Sequence, residues 1–222
     1  AEIPALVDHL GLSSSARVTL VIHDWGSMIG QAALPALEGA LKRLVILNAF
    51  AGPDLYSTQG YLLFMVWQGL VRIMGRAIPV GELNVADAGG PSGVSVAEES
   101  AYDAPFPSTD YKALMANWPL KYGDASAVQT AYEGALAWAR DSLKVPVLCA
   151  FGQEDLILEL ERAHAFFRGW YKKAPSVQKV PIPGAGHFPM ESHDKLVTAA
   201  IVDFMRATPT KDVMEHTPVE TL

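Results

Sequence analysis

The sequence predicts an α/β fold, a parallel sheet clad by helices with a helical insertion. Three observations carry this. Four short runs rich in Val, Ile and Leu, at Val18–His23, Arg43–Asn48, Val145–Phe151 and Val177–Ile182, show no apolar–polar alternation. Strands buried on both faces read this way. Helical patterns lie between or after these runs, and alternating strands and helices build a parallel sheet. About a hundred residues separate the second and third runs, far more than a crossover helix needs, so that stretch is a separate piece.

The first run, 18-VTLVIH-23, leads directly into 24-DWGSMIG-30. A helical pattern follows over Ser27–Lys42, and Pro35 is expected to kink or divide it. The second strand comes next. The segment from Gly52 to Asp141 then changes character, being rich in aromatics, Pro and Gly. It carries helical patterns at 59–75, 109–117 and 125–142, and 86-ADAGGPSGVS-95 reads as a loop. We read 52–141 as a helical cap inserted between core halves 1–51 and 142–206. The third and fourth strands are followed by helical patterns at Glu159–Tyr171 and Asp194–Met205, and 207–222 is expected to be a loose tail.

Composition bounds the function. The chain has 222 residues, half of them apolar, and a net charge of −7. No Lys/Arg cluster with interleaved aromatics is present, which argues against a nucleic-acid partner. Cys149 is the sole cysteine, so no intrachain disulfide can form; a buried structural thiol, a reducing compartment and a cytoplasmic location are expected. The richest apolar run, 61-YLLFMVWQGLVRIMG-75, is short and holds Gln68 and Arg72, so no membrane span is expected. No signal peptide is visible.

The chemistry starts from an aspartate at the tip of a buried strand. A strand that turns sharply into a helix through glycine-flanked residues presents one side chain at the top of the sheet, near a helix N-terminus. That side chain is Asp24, with Gly26 behind it and Ile22 where a first glycine would stand in a G-x-S-x-G turn. Backbone N–H groups there favour a charged carboxylate. Its oxygen can attack an sp³ carbon bearing a leaving group, giving an ester that water can open. A serine would give an ether. The plainer reading is a helix N-cap, the usual role of a lone Asp before a helix.

Ester hydrolysis needs a base, and 183-PGAGHFPMES-192 places His187 in a Gly-rich loop after the last strand, where such sheets hold ligands. The base needs an acid to orient it. The segment 151-FGQEDLIL-158 offers Asp155, with Glu154 as its rival. Asn48 ends the second strand, another place that could supply an acid, but it cannot ionise. The chain order of nucleophile, acid and histidine is that of α/β-hydrolase triads.

Together 23-HDWGS-27, 101-AYDAPFPSTDYKA-113, 151-FGQED-155 and 184-GAGHF-188 resemble the haloalkane dehalogenases of the α/β-hydrolase superfamily. The resemblance implies the α/β-hydrolase fold with a helical cap. It identifies Asp24 with the nucleophile, Asp155 rather than Glu154 with the acid, and His187 with the base. Trp25 matches the tryptophan whose indole N–H holds the departing halide, and its backbone N–H would serve the oxyanion. Trp118 and Phe188 are candidates for lining the pocket. Two residues point different ways: Ile22 is dehalogenase-like, whereas His23 before the aspartate is commoner in the related epoxide hydrolases, which need a cap tyrosine such as Tyr102, Tyr111 or Tyr122.

The expected activity is therefore hydrolytic dehalogenation of a haloalkane by water, with no metal or organic cofactor. The alternatives are epoxide hydrolysis by the same aspartate, or a catalytically inactive hydrolase-fold scaffold. Only 23 residues precede Asp24, whereas the resemblance implies further strands and a His-Gly loop there. The stretch is thus expected to be the C-terminal part of a longer enzyme, with an exposed edge at Val18–His23 and little or no activity alone.

Overall fold

The computed structural model describes residues 2–49, 58–79, 95–117, 120 and 127–209. Four strands form one parallel sheet in the order β1 (Val18–Asp24), β2 (Leu41–Ala49), β3 (Val147–Gly152) and β4 (Val177–Ile182). The helices are α1 (Glu2–His9), α2 (Trp25–Ala33), α3 (Thr58–Met74), α4 (Val96–Asp103), α5 (Ala113–Asn117), α6 (Ala127–Ser142), α7 (Leu160–Trp170), α8 (Pro189–Ser192) and α9 (Asp194–Ala207). Because every strand points the same way, their C-terminal ends share one rim of the sheet, and the loops that leave them meet there.

Alternation along β2 sorts its side chains onto two faces. Leu44 and Ile46 join one core cluster with Leu34, Leu143, Cys149, Phe151, Phe167 and Tyr171. Val45 and Leu47 join the other with Leu148, Ala150, Ile182, Val197 and Phe204. α7 closes the first face and α9 the second. The central strands β2 and β3 are buried almost throughout, as their unbroken apolar runs require.

Several expectations need correction. β1 and β4 are not fully buried: β1 is mostly half-exposed, with Val21 46% exposed, and β4 buries only Ile182. Both are edge strands in this sheet, so a neighbour covers each along one side only. The helix read as Ser27–Lys42 starts two residues earlier and ends at Ala33, where Pro35 turns the chain into a 3₁₀ turn, Leu34–Leu37. Lys42 belongs to β2. The first strand extends one residue further, to Asp24, and the third begins at Val147 rather than Val145. Helices α1 and α4 were not anticipated.

The 59–75 and 125–142 patterns appear as α3 and α6, and 109–117 as a 3₁₀ turn (Thr109–Lys112) followed by α5. α6 packs on α2 and places Ala139 in the main core. The loop residues 86–94, the tail from 210 onward and Trp118 lie outside the described residues. Among the described residues no helix is long and apolar enough to cross a membrane.

Two buried polar side chains explain local order. Arg43 is 4% exposed and donates to Thr208 Oγ1 at 2.7 Å, to the Met205 carbonyl at 3.2 Å and to the Thr208 carbonyl. It thereby fastens the carbonyl end of α9 to β2, where a cation is favoured. Cys149 lies wholly inside the sheet, and burial pushes its thiol up to about 12, which leaves it inert as a nucleophile.

Candidate active site

β1 ends and α2 begins without a connecting residue. Asp24, at the junction, has φ 45° and ψ −127°. A non-glycine residue held there stores about 1–3 kcal/mol of strain. The tight junction needs a small residue one turn into α2: a Cβ on Gly30 would lie 2.4 Å from Ile22 Cγ2. Ser27 Oγ donates to the Asp24 carbonyl at 2.6 Å and braces the turn. The Asp24 carboxylate makes no side-chain cap bond to the helix. Its side chain is 24% exposed. The N-cap reading therefore lacks the bond that would define it.

The loop after β4 brings His187 to the same rim. The acceptors fix the imidazole: a carboxylate carries no hydrogen, so His187 Nδ1 donates to Asp155 Oδ2, at 2.8 Å. The other ring nitrogen, Nε2, then faces Asp24 Oδ1 at 3.3 Å. The main chain of the loop is tied down by N–H groups beyond β3, Gln153 to the Ile182 carbonyl at 3.1 Å and Glu154 to the Ala185 carbonyl at 2.8 Å.

Gly152 lets that loop approach: a Cβ there would stand 2.1 Å from the Gly186 oxygen and 2.4 Å from the Ala185 oxygen, both main chain. Neither atom can swing aside, so Gly152→Ala must push the His187 loop off the end of β3 and disturb the gap between His187 and Asp24. Misplacement on the ångström scale costs about 100-fold in rate. The expected outcome is a kcat/KM lowered by about that factor in protein that still melts cooperatively, measured by steady-state kinetics beside a thermal melt.

Asp155 is held on every side. Oδ2 accepts from Asn48 Nδ2 at 2.7 Å besides His187, and Oδ1 accepts from the Ile157 and Leu158 N–H groups at 2.8 and 2.9 Å. Burial resists its ionisation, but the His187 bond and charge, the Asn48 amide and the Leu158 N–H outweigh burial and hold the carboxyl below its ordinary range. Glu154 is exposed, so it cannot replace Asp155 beside the ring. For His187, burial disfavours the cation. Bonds to Asp155 and Asp24 and their charges overcome that and raise its pKa well above the ordinary imidazole value.

Sequence reasoning undervalued Asn48. Dismissed as an acid because it cannot ionise, it is completely buried, takes φ 28°, donates to Asp155 and accepts from the Gly152 N–H at 2.9 Å. The available signal was an amide closing the apolar run 43-RLVILN-48. A buried amide in that position must find partners.

The remaining candidates divide. Trp25 is half-buried at the first position of α2, its ring 6.4 Å from Phe64. Phe188 stands edge-on to His187 with centroids 5.0 Å apart. The Tyr102 hydroxyl donates to Glu191 Oε1 at 2.5 Å, Tyr111 is 64% exposed, and Tyr122 lies outside the described residues. Among the described residues no group of three His, Cys, Asp or Glu side chains is placed to hold a metal ion.

A carboxylate on a strained turn, an imidazole facing it and a buried carboxylate behind the imidazole can do two things in sequence. The first carboxylate can form an ester, and the imidazole can then deprotonate water beside it.

Comparison with known proteins agrees at the level of fold. The family model described as "Alpha/beta hydrolase family" matches residues 1–200. A cis-3-alkyl-4-alkyloxetan-2-one decarboxylase of Shewanella oneidensis is 29% identical over 220 residues, 94% of this chain and 65% of the relative. A haloalkane dehalogenase of Mycobacterium marinum is 31% identical over 144 residues, 64% of this chain and 47% of the relative. The chain thus spans about half to two thirds of the length of these relatives. Among solved structures, the tetrameric haloalkane dehalogenase DpaA from Paraglaciecola agarilytica superposes with a TM-score of 0.73 at 22% identity, over 91% of this chain and 64% of that one.

Proposed function

The chain belongs to the alpha/beta hydrolase family, and on that premise we propose that it hydrolyses carbon–halogen bonds through an ester on Asp24. Asp24 Oδ attacks the carbon from behind; the C–O bond forms as the C–halogen bond breaks. The Trp25 indole N–H, a donor with no acceptor capacity, receives the halide. His187 then takes a proton from water, whose oxygen attacks the ester carbonyl carbon, while the Trp25 backbone N–H faces the developing oxyanion. Asp155 holds the imidazole and balances its charge. Alcohol leaves, Asp24 is regenerated, and halide and one proton are the other products. The segment over 52–141 would form the cap that shapes the substrate cavity.

One observation carries this reading: the His187 ring nitrogen that is not bonded to Asp155 faces a carboxylate, 3.3 Å away, and not a hydroxyl. A carboxylate in front of the base is the arrangement that ester formation followed by base-driven hydrolysis requires. The test is a single turnover by the full-length protein in oxygen-18 water with a short haloalkane. The first alcohol should carry unlabelled oxygen from Asp24, and the label should enter the protein at the Asp24 peptide. Labelled alcohol in the first turnover excludes the ester route. Complete inertness, with no adduct, favours a non-catalytic scaffold.

A second reading has its own support, the relative named for an oxetanone and matched over nearly the whole chain. Asp24 attack on the sp³ ring carbon bonded to oxygen would break that C–O bond, open the lactone and free a carboxylate two carbons away. Loss of CO₂ from that carboxylate would form the alkene and expel Asp24 unchanged, with no water consumed. Halide release against CO₂ release separates the readings. An epoxide would need an acid on its oxygen, and the Tyr102 hydroxyl is engaged with Glu191.

A further inference from the structure

We propose that His23 is a positioning residue that hangs the base loop from the nucleophile's own strand. The proposal rests on reading His187 as the base. His23 immediately precedes Asp24 on β1, and its Nε2 lies 2.9 Å from the His187 carbonyl oxygen. A carbonyl carries no hydrogen, so His23 donates and must bear its proton on Nε2. Its ring also packs against the rings of His187 and Phe188, with centroids 4.9 and 5.1 Å away.

The loop has little stiffness of its own, since Gly184 and Gly186 flank Ala185 and Gly184 sits at φ 77°. Its carbonyls are held in turn from outside. Ile182 and Ala185 are tied to the chain beyond β3, and Gly186 to Asn48 on β2 at 3.4 Å. The His187 carbonyl is tied to β1. That last bond closes a short circuit, running from Asp24 through one peptide to the His23 ring and on to the main chain of the base. It fixes the gap that an activated water must cross to reach the ester. Burial, then the neighbouring His187, lower the His23 pKa, with Asp24 and Asp155 opposing in part. A neutral ring suits a place beside a base that becomes cationic.

The test compares His23→Phe, which keeps a ring and loses the donor, with His23→Gln, which keeps an N–H donor. With a reactive haloalkane, His23→Phe should form the Asp24 ester within about threefold of the wild-type rate and hydrolyse it about 10–100-fold more slowly, so that the adduct accumulates in intact-mass spectra. His23→Gln should restore hydrolysis to within about threefold of wild type. A general folding defect would slow both half-reactions together and would show in the melt.

A second readout needs no turnover. The downfield proton of His187 Nδ1, in its bond to Asp155, should be visible by NMR in wild type and His23→Gln and broadened away in His23→Phe. Should His23→Phe keep both that proton and wild-type ester hydrolysis, the proposal is overturned. If the full-length wild type forms no adduct at all, the nucleophile reading fails, while the NMR comparison still decides whether His23 positions the loop.

Discussion

Asp24→Asn should abolish both turnover and covalent adduct while leaving the fold intact. An amide has no anionic oxygen to drive out a leaving group, so the loss is that of a covalent nucleophile, about 10⁴- to 10⁶-fold in kcat. The backbone argues that the substitution is tolerated. Asn adopts left-handed conformations about as readily as Asp, and no helix cap depends on this side chain. The strain at Asp24 is then understood as the cost of aiming one carboxylate over the rim of the sheet.

The same variant should report on the base. The raised pKa of His187 depends on Asp24 as well as Asp155. Replacing one of two anions by a neutral amide destabilises the imidazolium, so its pKa must fall in Asp24→Asn, as followed by NMR titration of the ring. The sign has mechanistic content: alkylation of Asp24 also cancels that charge. Ester formation thus lowers the proton affinity of His187 and favours the free base at the moment water must be deprotonated. A ring that titrates at or above the wild-type position in Asp24→Asn would refute this coupling.

Much of this was legible in the chain because apolar runs and chain order are local signals. Leu44 to Leu47 alternate between two covered faces, so the run had to be apolar at every position, and it was read as a buried strand. Val18 to Asp24 look the same in sequence yet sit at an edge, because adjacency in a sheet is set by distant segments. The three candidate catalytic positions could be named since each ends or follows a strand. Their convergence, Asp24 to His187 and His187 to Asp155, spans 163 and 32 positions in the sequence (187 − 24 and 187 − 155) and needed the fold. Asn48 was passed over because it cannot ionise, and His23 could be read only as a packed, hydrogen-bonded neighbour, because the partner of each lies about a hundred or more residues away. Arg43 was hidden likewise, because its acceptors lie at the far end of α9.

His187→Ala should stop the reaction halfway. Attack by Asp24 on carbon needs no proton transfer, so the first step should proceed. Opening the ester needs the base, and general-base removal slows such a step by about 10²- to 10⁴-fold. The buried Asp155 keeps Asn48, Ile157 N–H and Leu158 N–H as donors after the ring is gone. Losing one of four partners should cost about 1–3 kcal/mol of stability, a lowered melting temperature in protein that still folds. Incubated with a reactive haloalkane, the variant should gain the mass of one alkyl group per chain, and peptide mapping should place it on Asp24. Asp24→Asn, His187→Ala together should gain none. The variant also separates the two proposed reactions. The lactone route releases alkene and CO₂ from the alkyl ester without water, so it would continue in His187→Ala and leave no stable adduct. A variant that stays unmodified with a haloalkane yet still releases CO₂ from a β-lactone would transfer the assignment to the second reaction. If the full-length variant stays unmodified and inert to both, Asp24 is not a nucleophile.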